Sequence, residues 1–112
     1  MIEEHKFGSF TVKGKQYLGD IKIINGRVKY WDDREKHVVA MKDVRDLLDT
    51  NPGIVIVGSG NSGLLKVANE VKETLLSRRI QLVVKTNEEA VKLFNDAFYQ
   101  NKKVAGVFHA TC

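Results

Sequence analysis

Residues 54–63 read IVIVGSGNSG, an apolar run that passes directly into glycines spaced as GxGxxG. Residue types in this order suit one piece of chemistry. Gly58, Gly60 and Gly63 let the backbone turn sharply and approach a ligand closely. The N–H groups of Asn61, Ser62 and Gly63 would then face an anion at the start of a helix. Ser59, Asn61 and Ser62 add side-chain donors. Lys85 follows a second apolar run, Ile80 to Val84. If the two runs are parallel neighbours, Lys85 stands at the same carboxyl edge, where open α/β sheets bind their ligands. The expected anion site is therefore Gly58, Ser59, Gly60, Asn61, Ser62, Gly63 and Lys85.

Three features argue against a dinucleotide enzyme. A ribose-binding acid is expected where Lys85 stands, the second half has three strands rather than five or six, and nothing remains for a substrate domain. A Walker loop is excluded because no Lys-Ser/Thr pair follows Gly63. A purely structural turn competes with the anion reading. The ending Phe108-His109-Ala110-Thr111-Cys112 brings a thiol near an imidazole, a pairing that can activate sulfur. A frayed or buried terminal cysteine is the favoured alternative. His5 and His37 stand far apart in the chain. No catalytic residue, metal ligand or cofactor is assigned.

The bulk properties narrow the class. A chain of 112 residues forms one domain, here taken as 1–112. It is 43% hydrophobic and 29% charged, which excludes disorder. No apolar run reaches the length of a spanning helix, and the acidic start MIEEHKFGSF lacks an apolar leader segment. These features predict a soluble cytoplasmic protein with no membrane role. The single cysteine rules out an internal disulfide. The net charge of +4 is spread in pairs such as Lys13 and Lys15, Arg78 and Arg79, and Lys102 and Lys103. That scatter argues against nucleic acid and permits a small anion.

The elements that must position the loop follow from periodicity. Residues 1–40 read as β-structure, with turns at Val12-Lys13-Gly14-Lys15 and Asn25-Gly26. Alternation in Ile21-Lys22-Ile23 and Val28-Lys29-Tyr30 puts one face on a core and the lysines in water. Residues 31–36 read as a polar loop and 37–40 as a short strand. A short helix over 43–49 stops at Asn51-Pro52-Gly53. Ile54 to Val57 reads as a strand covered on both faces. Leu64, Leu65, Val67, Ala68, Val71, Leu75 and Leu76 repeat at helical spacing, and Arg78 and Arg79 close that helix. Thr86 and Glu89 have capping-box spacing before a helix carrying Ala90, Val91, Phe94, Ala97 and Phe98. Val104 to Phe108 is the last strand, of undetermined direction. The expected fold is α/β: a three-layer single domain with a mixed central sheet, crossover helices and an N-terminal β-hairpin layer.

Taken together, Phe7-Gly8, Gly14, Tyr17, Asp20-Ile21, Trp31 with His37, Pro52, Ile54 to Gly60, Thr86 with Ala90, Phe94-Asn95 and Val104 to Cys112 resemble the small Mth-type domain family of unknown function. That family includes archaeal and bacterial stand-alone proteins, a mitochondrial complex I assembly factor and an adipogenesis-associated protein. The resemblance spans nearly the whole chain. It implies the three-layer mixed-sheet fold, with a last strand that can run antiparallel, and it supplies no catalytic residues. Ser59 stands where the family usually has threonine, and Arg78-Arg79 where a glycine is common.

Two functional readings follow. The first is a non-enzymatic interaction or assembly domain with a protein partner or self-association, through an exposed apolar patch that includes Trp31 or Tyr99. The alternative is a binding protein or enzyme for a small anionic or phosphorylated ligand, using residues 58–63 and Lys85. Enzymatic activity is left open.

Overall fold

A computed structural model describes every residue except Asp33 and Lys36. The polar loop expected at 31–36 therefore includes two positions outside the described residues. In chain order the elements are β1 (Ile2–Lys6), β2 (Ser9–Val12), β3 (Lys15–Leu18), β4 (Ile21–Ile24), β5 (Arg27–Tyr30), β6 (Val38–Val39), α1 (Met41–Asp49), β7 (Ile54–Gly58), β8 (Lys66–Val67), α2 (Asn69–Ser77), β9 (Gln81–Lys85), α3 (Asn87–Tyr99) and β10 (Val104–Phe108).

The central sheet has five strands in the order β5-β4-β10-β7-β9. β10 lies in its middle. It runs parallel to β7, with Val104 opposite Ile54 and Phe108 opposite Gly58, and antiparallel to β4. The direction left open by the sequence is thus parallel to the glycine-bearing strand and antiparallel to the hairpin strand. β7 and β9 are also parallel, so Gly58 lies opposite Lys85. The hairpin turns form where expected. Lys13 with Gly14, and Asn25 with Gly26, all have positive φ, the conformation that tight hairpin turns require.

Alternation along β7 and β10 builds two cores. Ile56, Val104 and Phe108 face a cluster with Phe10, Val12, Ile21, Ile23, Ala90 and Phe94, roofed by α3 and the β1-β2-β3 sheet. Val55, Val57, Ala105 and Val107 face Trp31, Val44, Leu47, Leu65, Val71 and Leu75, roofed by α1 and α2. The architecture is the three-layer α/β fold. Asn95 locks α3 to β1 by accepting the Ile2 N–H at 2.9 Å and donating to the Ile2 carbonyl at 2.8 Å. No helix among the described residues is long and apolar enough to cross a membrane.

Several local expectations change. The helix expected from Leu64 onward begins at Asn69. Lys66 and Val67 form a short strand instead, because other backbone groups claim the amides around them. Lys66 donates to the His37 carbonyl at 2.8 Å and Ala68 to Val39 at 3.0 Å, pairing β8 with β6. Thr86 does cap α3, but its side chain makes no cap hydrogen bond. Trp31 is buried at 4% exposure, with its indole N–H donating to Asp43 at 3.0 Å. It therefore contributes no exposed patch.

Lys22 also departs from expectation. It is 7% exposed because α1 covers the second face of β4. Its Nζ donates to the Asp43 carbonyl at 2.5 Å and to Asp46 at 3.3 Å, and Lys29 reaches Asp46 at 2.6 Å. Burial alone would raise the Asp46 pKa, but the Lys29 hydrogen bond and the Lys22 charge overcome it. The Asp46 carboxyl is held below its usual value of 3.8. A carboxyl depressed in the folded state stabilises the fold above its unfolded pKa, and that contribution is lost as pH falls through the folded value. Asp46→Asn should therefore lower the urea midpoint at neutral pH, and the gap from the parent should narrow as pH drops below 3.8. A gap that stayed constant over that range would contradict the pairing.

Candidate functional site

The site forms where β7 and β10 end side by side. Beyond Gly58 the loop crosses the tail that follows β10. His109 donates its backbone N–H to the Gly58 carbonyl at 2.9 Å. The Asn61 N–H donates to Thr111 at 2.8 Å, and those of Ser62 and Leu64 donate to the Cys112 oxygen at 3.1 and 3.2 Å. Two of the amides expected to face a ligand anion, Asn61 and Ser62, are thus satisfied by the chain's own tail. The loop does not open a helix, because β8 intervenes before α2. The helix dipole anticipated from the sequence is consequently displaced from the loop.

The glycines are required by this close approach. Gly60 has φ +99°, and a Cβ there would fall 2.1 Å from the backbone of Cys112. A Cβ on Gly58 would meet the Phe108 ring at 2.5 Å and the Asn87 side chain at 2.6 Å. Asn87, 1% exposed at the start of α3, fastens the crossing. Its amide donates to the His109 carbonyl at 2.7 Å, while its side-chain oxygen accepts the Gly60 N–H at 3.2 Å.

On one side of the loop lies a cleft of about 420 Å³ at the carboxyl ends of β7 and β9. Ser59, Gly63, Lys66, Lys72, Lys85 and Thr86 contribute to its wall, with Leu65, Val67 and Val84 as apolar lining and Glu89 at its rim. Lys85 and Glu89 form an exposed pair at 3.5 Å. Ser59 turns inward and donates its hydroxyl to the Lys85 carbonyl at 3.0 Å. Of the predicted residues, the structure brings Ser59, Gly63 and Lys85 to this cleft. Gly58 and Gly60 serve packing, and Asn61 and Ser62 serve the tail. Lys66 and Lys72 carried no distinct sequence signal, since each reads as the polar position of an amphipathic segment.

On the other side lies a polar cluster centred on His109, which is 1% exposed. Its Nδ1 lies 3.0 Å from Asp20. Asp20 also accepts the Ala110 N–H at 2.7 Å and Arg34 Nε at 2.6 Å. A carboxylate accepts only, so the ring donates to Asp20 through Nδ1, which leaves Nε2 outside that pair. The Thr111 hydroxyl is 3.4 Å from that nitrogen. The His37 and His109 rings meet edge to face at 5.6 Å. One ligand-type atom from each of His37, His109 and Cys112 falls within 4.8 Å of the others. Sequence separation concealed the approach of His37, which the β6–β8 pairing creates. Asp20 gave no signal of its own outside the family resemblance.

A mixed sheet whose last strand returns between a hairpin and a glycine-bearing strand defines a class of small α/β domain. The chain belongs to the family described as "Protein of unknown function (DUF498/DUF598)", which matches residues 2–109. Its fold is similar to that of MT938, at 28% identity and TM-score 0.84, covering 100% of this chain and 98% of that one. It is also similar to the conserved hypothetical protein PH1505 from Pyrococcus horikoshii, at 25% identity and TM-score 0.90, covering 100% and 99%. A Mth938-like domain protein of Bordetella pertussis shares the fold at 13% identity and TM-score 0.60, covering 98% and 85%. The Mth-type resemblance of the sequence is borne out.

Gly60→Ala should cost about 1–3 kcal/mol, because both the backbone angle and the tail must give way. Amide exchange at Asn61 and Ser62 should accelerate with it. Unchanged exchange at those two amides would show that the tail does not close the loop.

Proposed function

We propose that the protein binds a small phosphorylated or carboxylated ligand in the cleft beside the glycine loop. The observation that carries this reading is the convergence of Lys66, Lys72 and Lys85 on one cleft at the carboxyl edge of parallel strands, where Glu89 is the one carboxylate among the described lining residues. Ligands of open α/β sheets favour this edge. The volume of about 420 Å³ is at the smaller end of ordinary ligand sites. Leu65, Val67 and Val84 offer an apolar wall for the body of a metabolite, while the ammonium groups take its anionic end. In this reading the anion is held by lysine side chains rather than by the amides of Asn61 and Ser62. A cytoplasmic location fits the charged surface and the lone cysteine.

Thermal denaturation with inorganic phosphate, pyrophosphate and nucleoside monophosphates tests the reading. A ligand at 100 times its dissociation constant stabilises the native state by about 2.7 kcal/mol. At least one of these anions should raise the melting temperature, and the Lys72→Ala, Lys85→Ala double variant should abolish the rise. If none of them stabilises the parent protein, the reading fails.

A second reading, self-association, rests on Leu18 and Tyr30, which are 71% and 45% exposed. They are joined by a hydrogen bond from the Leu18 N–H to the Tyr30 hydroxyl at 3.2 Å. Leu18 ends β3, an edge strand of the three-stranded sheet. Exposed apolar groups on an edge favour pairing with another chain. Sedimentation should show a dimer that Leu18→Lys dissociates. A monomer at every concentration would remove this reading.

A further inference from the structure

We infer that His37, His109 and Cys112 form a binding site for a divalent transition metal of the zinc type, with one coordination position left to water. Imidazole nitrogen and thiolate sulfur are the donors zinc prefers, and three protein ligands plus an open position is the arrangement of reactive rather than purely structural zinc sites. The three donor atoms already lie within 4.8 Å of one another, so small side-chain rotations bring them onto one ion. They come from separate parts of the chain. His37 precedes β6, and the other two follow β10.

The second line of support is the shell behind His109. A metal-binding histidine typically gives its other N–H to a carboxylate, which sets the tautomer and aims the ligating nitrogen. Asp20 fills that role at 3.0 Å from Nδ1, and is itself held by Arg34 at 2.6 Å and by the Ala110 N–H at 2.7 Å. The ring is 1% exposed, yet among the described residues its Nε2 has only the Thr111 hydroxyl, at 3.4 Å, for company. A buried imidazole held by a carboxylate and grouped with a thiol and a second imidazole is prepared for a shared ion. His37 and Cys112 are partly exposed, which gives an ion a route from solvent. The hydrogen bonds from Ser62 and Leu64 to the Cys112 oxygen restrain the backbone that carries the sulfur. Binding would release the thiol proton to solvent, as thiolate ligation requires. None of the three donors lines the lysine cleft, so metal binding stands independently of the anion reading.

Cobalt(II), followed by zinc(II), tests the site on the full chain freed of any polyhistidine tag. Cobalt should bind in equimolar amount, with a near-ultraviolet thiolate-to-metal band and visible bands of tetrahedral intensity, and zinc should displace it. Cys112→Ser should remove the thiolate band. His37→Ala should weaken binding about tenfold or more, and Asp20→Asn about 10–100-fold through the orientation of His109. His5→Ala should change nothing. Circular dichroism of each variant separates loss of ligand from loss of fold, and Cys112→Ser and His37→Ala alter groups outside both cores. Absence of the thiolate band in the parent protein, or cobalt binding unaffected by both Cys112→Ser and His37→Ala, would overturn the assignment.

Discussion

The parallel pairing of β10 with β7 is the constraint on which the rest of the molecule depends. It seats Val104 to Phe108 against Ile54 to Gly58 in the middle of the sheet. It also sets both layers, because alternate residues of these two strands feed opposite cores. The same register delivers His109 and the tail to the glycine loop. Were β10 antiparallel to β7, the tail would emerge at the far end of the sheet, leaving Asn61 and Ser62 without their backbone acceptors. A satisfied amide is worth about a kilocalorie. The loop and the tail therefore stabilise each other as one closed structure.

That closure changes what the glycines are for. In a dinucleotide fold they clear space for a pyrophosphate. Here Gly60 clears space for the backbone of Cys112, and Gly58 for Phe108 and Asn87. The same spacing serves close packing of the chain on itself, and the charge that could recognise an anion is carried instead by lysines beside the loop. Lys66 owes its place there to the β6–β8 pairing, and Lys72 to the displaced start of α2.

Much of the architecture is legible in the sequence because it rests on local patterns. Asn25-Gly26 and Lys13-Gly14 announce their turns, the unbroken apolar run at 54–57 announces a strand covered on both faces, and the stripe through Ala90, Phe94 and Ala97 announces α3. What is not legible depends on distant partners. Leu64 to Ala68 has helical periodicity, yet His37 and Val39 claim the amides of Lys66 and Ala68 and draw Lys66 and Val67 into a short sheet. Lys22 reads as a solvated lysine until α1 is laid over it. Trp31 reads as surface until Asp43 is placed to accept its N–H. In the Asp20–His109–His37–Cys112 cluster only the His109 and Cys112 pair is legible from spacing, since the sheet brings Asp20 and His37 to it from segments far away in the chain. Ser59, Gly63 and Lys85 are legible as neighbours because the carboxyl edge of parallel strands is a local consequence of the β-α-β pattern.

The tail closes the loop amides, and the proposed anion seat is the lysine cleft beside them. Backbone amide NMR during titration with inorganic phosphate tests it most directly. The signals of Lys66, Lys85 and Thr86 should move with phosphate while those of Asn61 and Ser62 stay in place. Movement centred on Asn61 and Ser62 with the cleft residues unchanged, or no movement anywhere, would contradict it.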